Sequence, residues 1–140
     1  MSRKQQHAGR DTARIRALRR QILGGVEMLE EAEVLKLLGP EKADRSWAAL
    51  TRQGGILRFK VAGAWKYPTF QFDRRNRRIR SSFAAIKAAA RAARWSDLRL
   101  LSWLMRPHLE FKEVPAATLS SQGDAVLTAF LAEVATQFHG

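Results

Sequence analysis

The sequence predicts a mainly α-helical fold: a helix-turn-helix with a β-hairpin wing, followed by a small C-terminal helical bundle. Three observations predict it. Apolar residues recur three and four apart in Met28–Gly39, in Glu41–Gln53 and through most of 81–140, the mark of amphipathic helices. Two short stretches, Ile56–Val61 and Ala64–Tyr67, flank Ala62-Gly63, the pattern of a hairpin around a tight turn that accepts positive φ. Charge is lopsided: residues 1–80 hold 19 Lys and Arg against 8 Asp and Glu, and residues 81–140 hold 6 against 5. The first half therefore invites a polyanion, and the second does not.

The first ten residues read as a disordered basic arm. Ile15, Leu18 and Ile22 then allow a short helix from about Thr12, which Gly24-Gly25 stops. Met28–Gly39 reads as one compact helix, its first turns favoured by Glu30, Glu31 and Glu33 through the helix dipole and its end set by Gly39-Pro40. In the next helix, from about Glu41 to Gln53, Ala43, Trp47 and Leu50 face the core, and Gly54-Gly55 ends it. Pro68 cannot donate a ladder hydrogen bond, so Tyr67–Asp73 belongs at a strand end or an edge.

Arg74–Arg80 carries five arginines and reads as a short solvated hinge. Beyond it, Ser81 and Ser82 are N-cap candidates. Phe83, Ile86, Ala90 and Ala93 mark one helix face, and Ser96-Asp97 starts a second helix with Leu98, Leu101, Trp103, Leu104 and Met105 inward. A loop between Pro107 and Pro115 leads to a short turn at Pro115–Ser120. Asp124 caps a last helix with the stripe Leu127, Phe130, Leu131, Val134 and Phe138. The chain thus divides into an N-terminal basic arm and short helix (1–25), a winged helix-turn-helix-like DNA-binding region (26–73), an arginine-rich linker (74–80) and a helical domain (81–140).

Composition excludes much. The 140 residues carry net charge +12 and no cysteine, which removes disulfides, thiolate catalysis and Cys-ligated zinc and fits a reducing cytoplasm. No run has the roughly 18 apolar residues of a membrane span, and no apolar stretch follows the basic N-terminus as a secretory signal requires. His7, His108 and His139 are far apart and lack metal-ligand spacing. No phosphate-binding loop or GxGxxG is present, so neither cofactor nor enzymatic role is expected. Asp73, Asp97 and Asp124 read as turn or cap residues.

In a winged helix-turn-helix the second helix enters the major groove and the hairpin touches the backbone. The candidate DNA contacts are therefore Lys42, Arg45, Ser46 and Arg52 on the helix and Arg58, Lys60 and Lys66 on the wing. Strand alternation puts Arg58 and Lys60 on one face. The same side chains would equally form the solvated face of a hairpin.

The wording of Tyr67-Pro68-Thr69-Phe70-Gln71-Phe72-Asp73, followed by Trp103-Leu104, Pro107, Leu109, Pro115, Leu119 and Gly123-Asp124-Ala125-Val126, resembles the Xre/MbcA/ParS-type antitoxins over roughly Leu29–Phe138. One departure is Glu110–Val114, where that family carries a small residue. The helix-turn-helix half, with Leu37-Leu38-Gly39 closing its first helix, looks like excisionase and MerR-type modules. The resemblance implies a type II antitoxin. Its C-terminal half would neutralise an NAD-consuming RES-domain toxin encoded nearby, with Ala135–Gly140 reaching toward the toxin pocket. Its basic half would bind operator DNA as a homodimer and repress its operon. Aromatic residues dominate interface energetics, so Trp95, Phe111 and Phe130, with Val134, Phe138 and His139, are the expected toxin contacts; core packing is the other reading of each. The alternative is a stand-alone excisionase- or MerR-like regulator whose C-terminal helices serve dimerisation.

Overall fold

The computed structural model describes residues 3–40 and 45–139, with side chains for 9–40 and 46–137. The described chain is mainly helical, with two small antiparallel sheets. The elements are α1 (Arg3–Gly24), β1 (Met28–Glu30), α2 (Glu31–Leu38), α3 (Arg45–Arg52), β2 (Phe59–Val61), β3 (Ala64–Pro68), β4 (Phe72–Asp73), β5 (Arg78–Ile79), α4 (Ser81–Ala92), α5 (Asp97–Leu104) and α6 (Pro115–His139). No described helix is long and apolar enough to cross a membrane.

α1 begins at Arg3 rather than Thr12. The expected disordered arm is helical because its residues are good helix formers, interrupted by Gly9 alone and by no proline.

The expected helix over Met28–Gly39 is also corrected. Its first three residues form β1, paired antiparallel to β3 in the register Met28↔Pro68, Leu29↔Tyr67, Glu30↔Lys66. α2 starts only at Glu31, where the Glu30 N–H donates to the Glu33 carboxylate at 3.1 Å. The first described residue of α3 is Arg45, and residues 41–44, with Lys42 and Ala43, lie outside the described set. β2 and β3 turn through Ala62 (φ 51°) and Gly63 (φ 82°), the left-handed pair that a two-residue hairpin demands.

The three-stranded sheet, in the order β1-β3-β2, separates two cores. Leu29 and Tyr67 are cross-strand partners on one face, and with Val34, Leu38, Trp47, Ile56 and Phe72 they make a small core under α2 and α3. Phe59 joins a larger core filled by Phe83, Ile86, Leu100, Leu101, Leu104, Val126 and Phe130 from the C-terminal helices. Leu23 of α1 and Leu57 enter that core too, so it crosses the 80/81 boundary expected from sequence.

The joint between the cores is the aromatic heptapeptide. Tyr67 and Phe72 are fully buried in the small core, while Phe70 meets Phe83 edge-on at 6.0 Å between ring centres. Residues Thr69–Gln71 form a single 3-10 turn that sends the Gln71 side chain inward. Its amide imitates a strand. It accepts from the Leu57 N–H at 2.9 Å and donates to the Leu57 carbonyl at 2.8 Å and the Pro68 carbonyl at 3.0 Å. Both polar atoms of the buried Gln71 amide are thereby paired.

The arginine-rich stretch is a hairpin rather than a linker. β4 pairs with β5 as Phe72↔Ile79 and Asp73↔Arg78, and residues 74–77 make the turn. Asp73 fixes that turn by accepting from the Asn76 N–H at 3.2 Å and side-chain amide at 2.7 Å. These bonds hold the Asp73 carboxyl below the usual carboxylate range, with Arg80 and Arg78 adding to the effect. Arg80 then turns back, its Nε donating to the Phe70 carbonyl at 3.1 Å.

In the C-terminal half, Arg80 occupies the N-cap position of α4, so Ser81 and Ser82 lie inside the first turn instead of capping it. Ser96 does cap α5, accepting from the Arg99 N–H at 3.1 Å. α6 is helical on both sides of one non-helical residue, Gln122. Gly123 follows it because a Cβ there would overlap the Ser82 hydroxyl. Lys87, almost fully buried in α4, bonds Asp97 at 3.0 Å across the α4–α5 gap.

Candidate nucleic-acid interface

α3 turns Trp47 inward and leaves Ser46 and Arg52 exposed. Trp47 is fixed by contact with Tyr67, at 5.4 Å between ring centres, and by its indole N–H, which donates to Glu31 at 3.1 Å. The same carboxylate accepts from the Tyr67 hydroxyl at 3.4 Å. Burial pushes the Tyr67 phenol above its ordinary range, and Arg58 opposes that shift. This polar tie sets the orientation of α3 against the sheet.

The β2–β3 hairpin carries a second set of cations. Lys60 and Trp65 are cross-strand partners, and Arg58, two residues before Lys60, shares their face. The Arg58 guanidinium lies 3.9 Å from the Trp65 ring centre and the Lys60 ammonium 5.5 Å from it. Trp65 is 37% exposed, whereas Trp47, Trp95 and Trp103 are buried. The result is a half-exposed indole with two cations close to its ring, and cations so placed suit an anionic partner.

Of the residues expected to face DNA, Ser46, Arg52 and Lys60 are exposed and Arg58 is half-buried. Lys66 lies on the opposite sheet face, paired with Glu30 in register and bonded to it at 2.9 Å. The pair neutralises Lys66 and holds the Glu30 carboxyl below its usual range. The Lys42 residue and the Arg45 side chain lie outside the described residues.

Two features of this face escaped the sequence reading. Trp65 was placed in a strand without a role; only the register Lys60↔Trp65 shows it flanked by cations. Arg19 of α1 donates to the Lys60 carbonyl at 3.0 Å, a contact between residues 41 apart that no local pattern announces.

The expected toxin contacts distribute differently. Phe130 is fully buried and packs edge-on against Trp95 and Trp103, each at 5.1 Å between ring centres. Trp95 is buried as well; its indole donates to Gln137 at 2.6 Å and its outer face carries Arg99 at 3.9 Å. Both are core residues of this chain, so the core reading of them holds and neither offers its ring to a partner. Phe111 and Val134 are half-buried, and the side chains of Phe138 and His139 lie outside the described set. Among the described residues, the large apolar side chains exposed in this half are Leu109, wholly exposed in the α5–α6 loop, and Leu131, 48% exposed on α6. Leu109 stands between Pro107 and Glu110 in a segment without periodicity, so nothing in the sequence marks it as protruding.

No family model matches the chain, no curated protein matches it, and no solved structure matches it.

Proposed function

We propose that the chain is a DNA-binding antitoxin, reading duplex DNA with α3 and the β2–β3 wing and occupying a RES-type, NAD-consuming toxin with its C-terminal half. One observation supports the DNA part: Arg58 and Lys60 lie against the half-exposed Trp65 ring on a hairpin that follows α2 and α3 in the chain. α3 enters the major groove, where Ser46 reaches base edges and Arg52 a base or phosphate. Arg58 and Lys60 neutralise backbone phosphates, which positions the module without selecting sequence. Repeated half-sites call for a homodimer. The toxin part rests on the family resemblance and on a nearly neutral C-terminal half that leaves Leu109 and Leu131 exposed.

Two experiments test it. Fluorescence-monitored titration of wild type with operator-region duplex should show a change that Trp65→Phe abolishes, because the other tryptophans are buried. Arg52→Ala should weaken binding and lower the salt slope by about 1. Unchanged binding and slope would remove the α3 assignment. Co-expression with the neighbouring gene should restore growth and cellular NAD. Removing the chain after Asp124 would delete core residues Val126 and Phe130, so the mapping variants are Leu109→Asp and Leu131→Asp.

The second reading, a stand-alone regulator, is favoured by the burial of Trp95 and Phe130 in the chain's own core. It predicts a harmless neighbour and DNA binding indifferent to Leu109→Asp and Leu131→Asp.

A further inference from the structure

Residues 9–18 of α1 are exposed on every side. Near its C-terminal end the helix is packed by buried Leu23 and half-buried Ile22 and tied by the Arg19 bond to the Lys60 carbonyl. An exposed helical stretch gains from opposite-charge pairs three or four apart, and here like-charge pairs predominate. Arg10 and Arg14, and Arg16 and Arg20, are like charges four apart, with Asp11 the single acid of residues 1–26. What such a helix lacks is a line of negative charge alongside it.

We propose that α1 is a phosphate-tracking arm, bound along duplex DNA beyond the stretch contacted by α3 and the wing. The inference rests on the DNA-binding reading above. Its geometry fits: the 22 residues of Arg3–Gly24 span about 33 Å at 1.5 Å per residue, close to one turn of duplex. Arg19 roots the C-terminal end of the arm on the Lys60 carbonyl, which ties it to the hairpin that carries Arg58 and Lys60. A second copy of α1 is a poor occupant, because pairing two such helices would oppose arginine to arginine. Ile15 and Leu18, 62% and 54% exposed, would suit an anionic membrane surface, but that partner gives no account of the tie to the wing.

The test uses the full chain, random-sequence duplexes of 12 and 30 base pairs, and the variant Arg10→Ala/Arg14→Ala/Arg16→Ala. Alanine is the stronger helix former, so the arm keeps its fold. Affinity is measured from 50 to 300 mM NaCl. Wild type should bind the long duplex more tightly and with a steeper salt slope than the short one. The variant should lose that excess, its slope on the long duplex falling by roughly 3, with the short duplex little affected. Amides of residues 9–18 should gain hydrogen-exchange protection with the long duplex alone. If wild type binds neither duplex, the DNA reading itself fails. If wild type binds and the variant keeps the length-dependent excess, the arm assignment fails while the DNA reading stands. An equal loss on both duplexes, or a loss confined to binding of phosphatidylserine vesicles, also overturns the arm.

Discussion

The small core under α2 and α3 and the large core of the C-terminal helices are held in different ways. Among the described residues the small core has seven buried members, centred on Trp47 and Tyr67, and both of their polar ends meet one carboxylate, Glu31. The large core has sixteen, chiefly leucine, alanine and aromatic side chains, and it buries the Trp103 indole N–H with no partner. The first centres on one shared carboxylate, and the second rests mainly on packed area, with the Trp95–Gln137 and Leu57–Gln71 bonds at its margins. A core of seven residues is too small to stand well alone, so the basic module leans on its neighbour through Phe59, Phe70 and Gln71. Surface charge is concentrated on the half that depends on the other for stability.

The strongest way to break this comparison is to damage the large core and watch the small one. Phe83→Ala should lower stability by about 3–5 kcal/mol, measured by urea unfolding. Phe83 meets Phe70 across the joint, so far-UV circular dichroism and tryptophan fluorescence should report one shared transition at a lower midpoint. Two separated transitions would show that the halves fold independently and that the joint couples nothing.

Gln71→Met sharpens the same point. It keeps side-chain volume while leaving the buried N–H and C=O of Leu57 without the amide they bond, at a cost of about 2–4 kcal/mol. Gly123→Ala ranks next, at about 1–3 kcal/mol, because its Cβ would run into Ser82. Ser82→Gly in the same chain should restore part of the loss if that overlap is the cause.

Legibility in the sequence followed the same division. The C-terminal helices were readable because burial there repeats with helical period, as in Phe83, Ile86 and Ala90. The small core was partly readable. Trp47 and the glycine stops were placed, but three-residue β1 was absorbed into α2, because a strand that short carries no period of its own. The Arg74–Arg80 run looked like a hinge by composition, and the Asp73–Asn76 bonds that fold it depend on turn geometry. The heptapeptide was recognised by its wording, and its cause is packing: Tyr67, Phe70, Gln71 and Phe72 each fill or bond a different part of the joint. Alternation paired Arg58 with Lys60, and the two do meet at Trp65. Lys66 was misassigned because its pairing with Glu30 needed a strand the sequence did not reveal.

The smallest expected effect, and the most selective, is alkaline. Tyr67 is the chain's single tyrosine, so phenolate absorbance reports this residue alone. Burial raises its folded-state pKa above the ordinary value near 10, with the Glu31 charge assisting and Arg58 opposing. A raised pKa keeps the folded phenol protonated where the unfolded one ionises. The associated stability is fully present below the unfolded pKa and is lost as pH rises through the folded pKa. Thermal midpoints should therefore hold up to about pH 10 and fall above it, in step with a phenolate signal displaced to higher pH than free tyrosine. Tyr67→Phe should flatten that alkaline limb while changing neutral-pH stability by less than about 1 kcal/mol, since the 3.4 Å bond it removes is long and Glu31 still holds Trp47. An alkaline limb that survives the substitution would locate the titrating group elsewhere.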